Sequence, residues 1–333
     1  MITLPRRHVL ALVAGAAATG LAARQARALA PRPAPLATPV KLTLGANSVP
    51  HVTPFLYIAE ELKPLGVNVE MVKFERYADT RTALASGSID VGSIGPADVP
   101  IAVSTGLTNI IALMGVGISP KNPIVKKGMS LASWKDLAGK RVGVAPGSAV
   151  WFQFAATLVE AGVPYTSFQA INMQGAGTVM VQSLQRGDID LFIGWEPFET
   201  MAINQGLATR IESLDYSKSK AVGAELGLVG VHRAYLTGQR EAMKRFVWAY
   251  LAIQDRLMAS KEVLAQGIAA YTGLSPELAK AVAATMTLGQ FLTLEQMQRQ
   301  AATFFQLGVL KKDVSAELGG YFDGTLVEQA LKG

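Results

Sequence analysis

The sequence predicts an α/β protein of two lobes, each a mainly parallel sheet flanked by helices, with a hinge between the lobes. Three observations favour this fold. First, segments typical of strands and of helices alternate along the chain, which favours parallel strands covered by helices. Second, this alternation starts again near Lys140, so the chain contains two series of strands and helices. Third, one four-residue motif occurs in both series. The motif is a Leu and a Gly that end a helix, then an Ile and an Asp: Leu84, Gly87, Ile89, Asp90 and Leu184, Gly187, Ile189, Asp190. A chain of 333 residues is long enough for two domains.

The N-terminal thirty residues are typical of an export signal. A basic start is followed by an apolar run over residues 9–23 and by small residues at Ala28 and Ala30, which predicts that residues 1–30 are removed. The run is too short and too rich in Ala and Gly for a good spanning helix. The Arg6-Arg7 pair and the weakly apolar run resemble a twin-arginine signal, with general secretion as the other route.

The amino-acid composition limits the cell compartment in which we expect the protein and the partners that it can bind. The chain has no cysteine, which excludes disulfides, thiolate metal ligands, a cysteine nucleophile and the lipid anchor of a bacterial lipoprotein. Four of the six net positive charges belong to arginines in residues 1–30, so the remaining chain is too weakly basic to favour nucleic acid. We expect a periplasmic protein, monomeric and soluble after signal cleavage, that binds no nucleic acid.

The first series follows a proline-rich linker predicted over residues 31–39. "KLTLGA" alternates apolar and polar residues as a half-buried strand does, whereas "PFLYIAEEL" has helical spacing. Gly87 is placed to end a helix in the left-handed conformation. The predicted segments are, in order, strand 41–46, helix 54–62, strand 67–74, helix 78–86, strand 89–94, helix 97–106 and strand 109–117.

The second series repeats this order, and the chain then returns to the first lobe. Its predicted segments are strand 140–145, helix 150–162, strand 167–173, helix 176–187 and strand 189–194. A returning strand is predicted over residues 224–236, and the rest of the chain is mostly helical. Leaving one lobe and returning requires two crossings, which are natural hinges. The predicted lobes are therefore residues 40–127 with 216–333, and residues 128–215.

Motifs that would support catalysis or metal binding are lacking in the sequence. The chain that follows the signal has two histidines, His51 and His232, without the H-x-x-x-H spacing of a zinc site. Its glycine-rich stretches match neither a phosphate-binding loop, nor a dinucleotide fingerprint, nor a nucleophile elbow. We therefore expect no enzyme activity, no cofactor and no metal.

Ligand binding is favoured by the loops that follow the strands, because open α/β sheets bind ligands beyond the carboxyl ends of their strands. The backbone amides near Ser148 and Ala149 open a helix and favour an anion, although a tight turn alone would explain Gly147. An indole at Trp195 is suited to stacking on a ligand or to packing under a loop. Trp151 lies in the cleft or in the core, and His51 contacts ligand or bonds locally within its loop.

The repeated motif has two interpretations. In the first, its role is structural: the glycine ends a helix and the aspartate contacts solvent or a backbone amide. In the second, the loops that follow the motif, "SIGPA" and "IGWEP", line a cleft between facing sheets. Arg76 and Tyr77 are further candidates there, with solvated surface as the alternative.

Three stretches together resemble a known family: "ALASGSIDVGSIGPADVPIAVSTG", "DLAGKRVGVAPGSAVWFQFAATLVEAGV" and "LQRGDIDLFIGWEPF". They are similar to the periplasmic solute-binding components of ABC importers for aliphatic sulfonates, taurine and nitrate, over about residues 41–215 and more loosely through the helical tail. The resemblance implies a Venus-flytrap protein that closes on a small solute and delivers it to a membrane permease and its ATPase.

The resemblance also implies where the ligand lies. In such proteins serine hydroxyls and loop amides hold the anionic head, and an aromatic residue lines the cleft. The corresponding positions here are Asn47, Ser48, Ser93, Ile94, Gly95, Pro96, Ala97, Gly147, Ser148, Ala149 and Trp195. Glu196 departs from a simple anion site, since its carboxylate would repel an anion but suit a ligand amine or hydroxyl.

Two alternatives accompany this prediction. Relatives on the same fold include enzymes similar to pyrimidine synthases, for which a reactive cysteine and histidine cluster would be the mark, and the chain has no cysteine. A binding subunit that delivers its ligand to a sensor is the other alternative.

Overall fold

A computed structural model describes residues 28–173, 177–219 and 223–332, so most of the predicted signal lies outside the described residues. The chain folds into two sheets. The six strands of the first sheet, in the order in which they lie side by side, are β11 Thr287–Leu288, β4 Ile110–Ile118, β10 Glu225–His232, β3 Val91–Ile94, β1 Val40–Asn47 and β2 Val67–Phe74. The five strands of the second are β7 Gln169–Asn172, β6 Arg141–Val144, β8 Leu191–Phe192, β5 Ile124–Lys126 and β9 Ala208–Arg210.

Both sheets are mixed, with parallel and antiparallel pairs, whereas the sequence predicted mainly parallel sheets. In the first sheet β1 pairs in parallel with β2 and β3, and β10 runs antiparallel between β3 and β4. In the second sheet β6 pairs in parallel with β7 and β8, while β5 runs antiparallel to β8 and β9. The carboxyl ends of β1, β3, β6 and β8 therefore carry the four loops that the sequence predicts to bind ligand.

The helices follow the strands in the predicted alternation. Their bounds are α1 Phe55–Leu62, α2 Tyr77–Ser86, α3 Asp98–Ser104, α4 Ala149–Glu160, α5 Thr178–Arg186, α6 Phe198–Asn204, α7 Arg233–Gly238, α8 Arg240–Leu257, α9 Lys261–Thr272, α10 Pro276–Thr285, α11 Leu294–Gln306 and α12 Thr325–Ala330. Within the described residues, none of these helices is both long enough and apolar enough to cross a bilayer.

Two predicted boundaries need correction. Strand β5 lies within residues 40–127, predicted as first lobe, but it pairs with β8 and β9 of the second sheet. The reason is that the chain already crosses between sheets at residues 119–123. The strand predicted over 224–236 ends at His232, and α7 begins at the next residue.

The repeated motif is architecture in both sheets. Gly87 and Gly187 end α2 and α5 with φ of 73° and 79°, in the left-handed conformation. The Asp90 carboxylate accepts a hydrogen bond from the N–H of Thr43 on β1 at 2.7 Å, and Asp190 accepts one from the N–H of Arg141 on β6 at 2.8 Å. Each aspartate thus ties its own strand to the neighbouring parallel strand, which is the backbone-amide role that the sequence allowed.

Two chain segments cross between the sheets, and they are hydrogen-bonded to each other along their length. The N–H of Ser119 donates to the carbonyl of Ala224 at 3.2 Å, and that of Tyr216 donates to the carbonyl of Lys121 at 2.8 Å. The N–H of Lys121 donates to the Asp215 carboxylate at 2.9 Å. We call these paired segments, residues 119–123 with residues 211–219 and 223–224, the crossing ribbon.

Helix α4 of the second lobe also packs against the first lobe. The ring of Phe152 lies 5.0 Å from that of Phe304 on α11, within a buried cluster of first-lobe residues. The side-chain amide of Gln153 donates to the backbone carbonyl of Glu225 at 3.2 Å. The two sheets are therefore held together by packing and a hydrogen bond as well as by the crossing ribbon.

Residues 28–39 form an extended N-terminal strap on the first lobe. The indole N–H of Trp248 donates to the carbonyl of Ala30 at 2.7 Å, and the Arg245 guanidinium donates to that of Ala34 at 2.9 Å. The N–H of Ala30 donates to the carbonyl of Ala330 at the end of α12, at 2.8 Å. The segment predicted as a linker is thus bound to α8 and α12.

Candidate functional site

Loops from both sheets meet at one place. The loop after β3 contains Gly95, and the loop after β6 leads into α4 at Ala149. A Cβ atom placed on Gly95 would lie 3.6 Å from that of Ala149 and 3.2 Å from the Tyr77 ring. The carboxyl ends of the two sheets therefore face each other, which is where the fold class leads us to expect a ligand.

The predicted polar residues of the first-lobe loops bind each other. Asn47 and Ser93 are each 1% exposed. The Asn47 side-chain carbonyl accepts hydrogen bonds from the hydroxyls of Ser93 at 2.8 Å and Thr80 at 3.2 Å, and its amide donates to the carbonyl of Phe74 at 3.1 Å. This network ties β1, β2, β3 and α2 together directly beneath the meeting point of the loops, whereas Ser48 beside it is exposed.

His51, which is buried, and Tyr77, which is half-buried, form a pair beside this network. The Nε2 atom of His51 and the hydroxyl oxygen of Tyr77 lie 2.5 Å apart. Burial, and to a smaller degree the charge of Lys121, lowers the pKa of His51 from 6.5 to about 3, so the imidazole is neutral at neutral pH. Burial raises the pKa of Tyr77 well above its usual value, so the phenol is also neutral. The pair offers a ligand hydrogen bonds without charge.

The loop over residues 93–97, which includes Ile94, Pro96 and Ala97, is buried throughout. Its Gly95 N–H donates to the Asp98 carboxylate at 2.6 Å, and Arg81 pairs with the same carboxylate. Burial raises the pKa of Asp98, while Arg81 and the Gly95 N–H act in the opposite direction. An amide that the resemblance assigns to an anionic ligand is therefore already used by a carboxylate of the protein.

The N-terminus of α4 presents the complementary surface. Gly147 is exposed and has φ of 84°, and the Ser148 hydroxyl oxygen caps the helix by accepting from the N–H of Trp151 at 3.3 Å. Ser148 and Ala149 are half-buried. The remaining first-turn amides have no partner within the helix, and the helix dipole adds positive potential there. This helix end provides the chemistry that an anion needs.

The two tryptophans have different surroundings. The Trp151 indole N–H donates to the Tyr165 hydroxyl at 2.8 Å, and its ring packs against clusters of both lobes. Trp195 is half-buried, and its ring meets that of Phe198 edge-on at 5.9 Å. Of the two, Trp151 is half-buried and packs between the lobes, and Trp195 lies on the loop after β8.

The carboxylate of Glu196 is bound within the second lobe. It is 7% exposed and accepts from the Thr200 hydroxyl and from Arg210, both at 2.8 Å. Arg210 also contacts Glu199 at 3.4 Å. Burial and the neighbouring Glu196 raise the pKa of Glu199 to about 8, while Arg210 and Lys121 act in the opposite direction. The Arg210 guanidinium therefore balances negative charge of this cluster within the second lobe.

Sequence reasoning missed a buried polar group at the crossing ribbon. The Lys121 ammonium donates to the carbonyl of Glu225 at 2.7 Å, and the Glu225 carboxylate accepts from Gln300 at 2.9 Å. Burial lowers the pKa of Lys121 to about 8 and raises that of Glu225. The one available signal was Gln153, a lone amide between two phenylalanines in an apolar helix; the other residues carry no sequence pattern.

Metal coordination finds no support in the described part of the chain. No group of three or more histidine or acidic side chains there is placed to hold a metal ion.

Comparisons with known proteins agree with this architecture. The taurine-binding periplasmic protein of Escherichia coli is 28% identical over 205 residues, which are 60% of this chain and 61% of that protein. The chain therefore matches somewhat less than two thirds of its relative's length. The match in sequence extends to one curated relative and the match in fold to many solved structures.

Two of those structures, both with TM-scores near 0.7, serve as examples. The alkanesulfonate-binding protein of Xanthomonas axonopodis pv. citri bound to MOPS has a TM-score of 0.69 and 18% identity, over 85% of this chain and 99% of that one. The nitrate-binding protein of Synechocystis has a TM-score of 0.71 and 16% identity, over 90% and 89%. At these identities the structures show a shared periplasmic-binding-protein fold. The NMT1/THI5-like family model matches residues 54–260, more than half of the chain, and the protein belongs to that family.

Proposed function

We propose that this protein is the substrate-binding component of an ABC import system, and that it holds a small organic solute with an anionic head group between its two sheets. The observation that carries the proposal is the meeting of the β3 loop with the N-terminus of α4 at Gly95 and Ala149, which follow strands of two different sheets. The taurine-binding relative and the sulfonate- and nitrate-binding folds support this class of solute.

The anionic head is assigned to the second lobe. The Gly95 amide and Arg81 are already paired with Asp98, and Lys121 donates to a backbone carbonyl. The N-terminus of α4 is therefore the best-suited anion donor near the meeting point, with the amides of Ala149 and its neighbours directed at the head group. The neutral His51–Tyr77 pair then faces the rest of the solute.

Glu196 is assigned a supporting role. Because Arg210 and Thr200 use its carboxylate, it does not repel an anion in the cleft, and it fixes the loop that carries Trp195. This assignment resolves the conflict that the sequence raised between an acidic residue and an anionic ligand.

Thermal unfolding with a panel of taurine, alkanesulfonates, nitrate and carboxylate analogues tests the proposal. A ligand present at about 100 times its dissociation constant adds roughly 2.7 kcal/mol, which raises the midpoint by several degrees. Trp195→Ala should weaken binding at an unchanged midpoint of the free protein, while Trp248→Phe, on α8 beside the strap, should bind as the wild type does. A panel that leaves the midpoint unchanged contradicts the proposal.

Delivery to a permease and its ATPase is the second half of the proposal. Deletion of the gene should abolish uptake of the solute that raises the midpoint, and expression of the wild-type chain should restore it. Restoration by a variant that no longer binds the solute would argue for a different role.

A further inference from the structure

The N-terminal strap binds residues that the predicted signal cleavage would remove. Leu29 packs against the core of the first lobe. Both backbone groups of Ala30 are used, since its N–H donates to Ala330 at 2.8 Å and its carbonyl accepts from the Trp248 indole at 2.7 Å. Cleavage after Ala30 would therefore discard two hydrogen bonds and an apolar contact of the folded protein.

The bond after Ala30 is also poorly suited to hydrolysis. The next residue is Pro31, which has no N–H and a fixed φ, so the chain lacks a backbone hydrogen-bond donor immediately beyond the scissile bond. The carbonyl that a peptidase must polarise is already bound by Trp248 in the folded protein. A chain exported in the folded state, as a twin-arginine signal implies, would present this bond already bound to α8.

A second pair of small residues lies two positions upstream. Ala26 and Ala28 have the same spacing as Ala28 and Ala30, and four residues separate Ala28 from the end of the apolar run. Ala28 is exposed, whereas Leu29 and Ala30 are half-buried. The bond between Ala28 and Leu29 thus lies where the strap leaves the body of the protein.

We infer that the export signal is cleaved between Ala28 and Leu29, so that the processed protein begins at Leu29 with the strap intact. Water hydrolyses this peptide bond: the Ala28 carbonyl carbon gains the hydroxyl and leaves as a carboxylate, and the Leu29 nitrogen becomes the new ammonium. The peptidase is of the class that requires small residues one and three positions before the bond. The inference rests on export, as proposed above, and not on the identity of the solute.

N-terminal sequencing and intact mass of the protein recovered from the periplasm test the inference. The expected first residue is Leu29. A first residue of Pro31 overturns the inference, as does any other start, including the uncut chain.

Two substitutions separate the competing sites, because Ala26 serves only the proposed site and Ala30 only the other, while Ala28 serves both. Ala26→Gln should leave uncut precursor in the membrane fraction. Ala30→Gln, which keeps both backbone hydrogen bonds of the strap, should be processed as the wild type is. The opposite pattern, or equal processing of both variants, contradicts the inference.

A separate measurement tests whether Leu29 and Ala30 stabilise the folded protein. It is made without ligand and is therefore independent of the proposed solute. A protein that begins at Leu29, and so keeps both residues, should unfold at a midpoint a few degrees above that of a protein that begins at Pro31. Trp248→Phe should lower the midpoint of the first protein more than that of the second, since the second lacks the Ala30 acceptor. Equal midpoints would remove the structural basis, while failure of solute binding would leave all of these results unchanged.

Discussion

The buried imidazole of His51 makes the stability of the protein depend on pH. Burial, with a smaller contribution from Lys121, lowers the His51 pKa from 6.5 to about 3. The folded protein therefore keeps the ring neutral, while the unfolded chain takes up a proton as the pH falls below about 6.5. The stabilisation from the neutral ring is fully present above about pH 6.5 and is lost as the pH falls toward 3.

The magnitude follows from the two pKa values. At pH 5 the imidazole of the unfolded chain is almost fully protonated, and that of the folded protein is almost fully neutral. Linkage then predicts that His51 alone lowers the free energy of unfolding by about 2 kcal/mol between pH 7.5 and pH 5. Buried acids such as Glu199 titrate over the same range with the opposite sign, so the wild-type curve alone does not isolate this contribution.

Urea unfolding of the wild type and of His51→Gln at pH 7.5, 6.5 and 5 isolates the contribution of His51 to the pH dependence, because all other groups titrate in both proteins. The variant is expected to be less stable at pH 7.5, and the difference in free energy of unfolding should shrink by about 2 kcal/mol at pH 5. Tyr77→Phe should keep the wild-type pH dependence, because burial is the larger cause of the shift. A difference between wild type and His51→Gln that is constant with pH would refute the reasoning.

Three further predictions concern the packing and the repeated motif. Phe152→Ala empties the site beside Phe304 and should lower the free energy of unfolding by about 3–5 kcal/mol in urea titration, with a shift below 1 kcal/mol arguing against interlobe packing. Arg210→Gln leaves Glu196 and Glu199 without their cation and should cost roughly 3–5 kcal/mol at pH 8 but less at pH 5, because Glu199, with its pKa raised to about 8, is neutral there; the exposed control Arg186→Gln should stay within about 0.5 kcal/mol at either pH. Gly187→Ala places a side chain at φ of 79° and should cost about 1–2 kcal/mol by thermal unfolding, whereas no loss would mean that the helix end rearranges.

The fold was predictable where the sequence carries a local period. Alternation of strand and helix, the glycines that end α2 and α5, and the repeated aspartates each leave a pattern within about ten residues. Strand β5 was placed in the wrong lobe because three residues are too few to show a period, and their partners β8 and β9 lie far along the chain. Its pairing is decided by where the crossing ribbon leaves the first sheet.

The location of the candidate site was predictable from the sequence, whereas most of the side-chain contacts within it were not. The loops that meet at Gly95 and Ala149 follow from the topology of parallel strands. That Asn47 and Ser93 bond to each other, and that Glu196 is bound by Arg210, depends on side chains brought together from separate segments. Such partners leave no trace in the spacing of either residue, so the family resemblance assigned Asn47 and Ser93 to the ligand.

The crossing ribbon limits the ways in which the two halves of the molecule can move. Two independent tethers would allow twisting and sliding, but segments joined by hydrogen bonds at Ser119–Ala224 and Lys121–Tyr216 behave as a single narrow plate. Such a plate bends readily across its width and resists rotation about its length, because rotation would break the cross-links in turn. The packing of α4 against the first lobe lies outside this plate, so the ribbon and that packing together limit how the loops of one half can shift against those of the other.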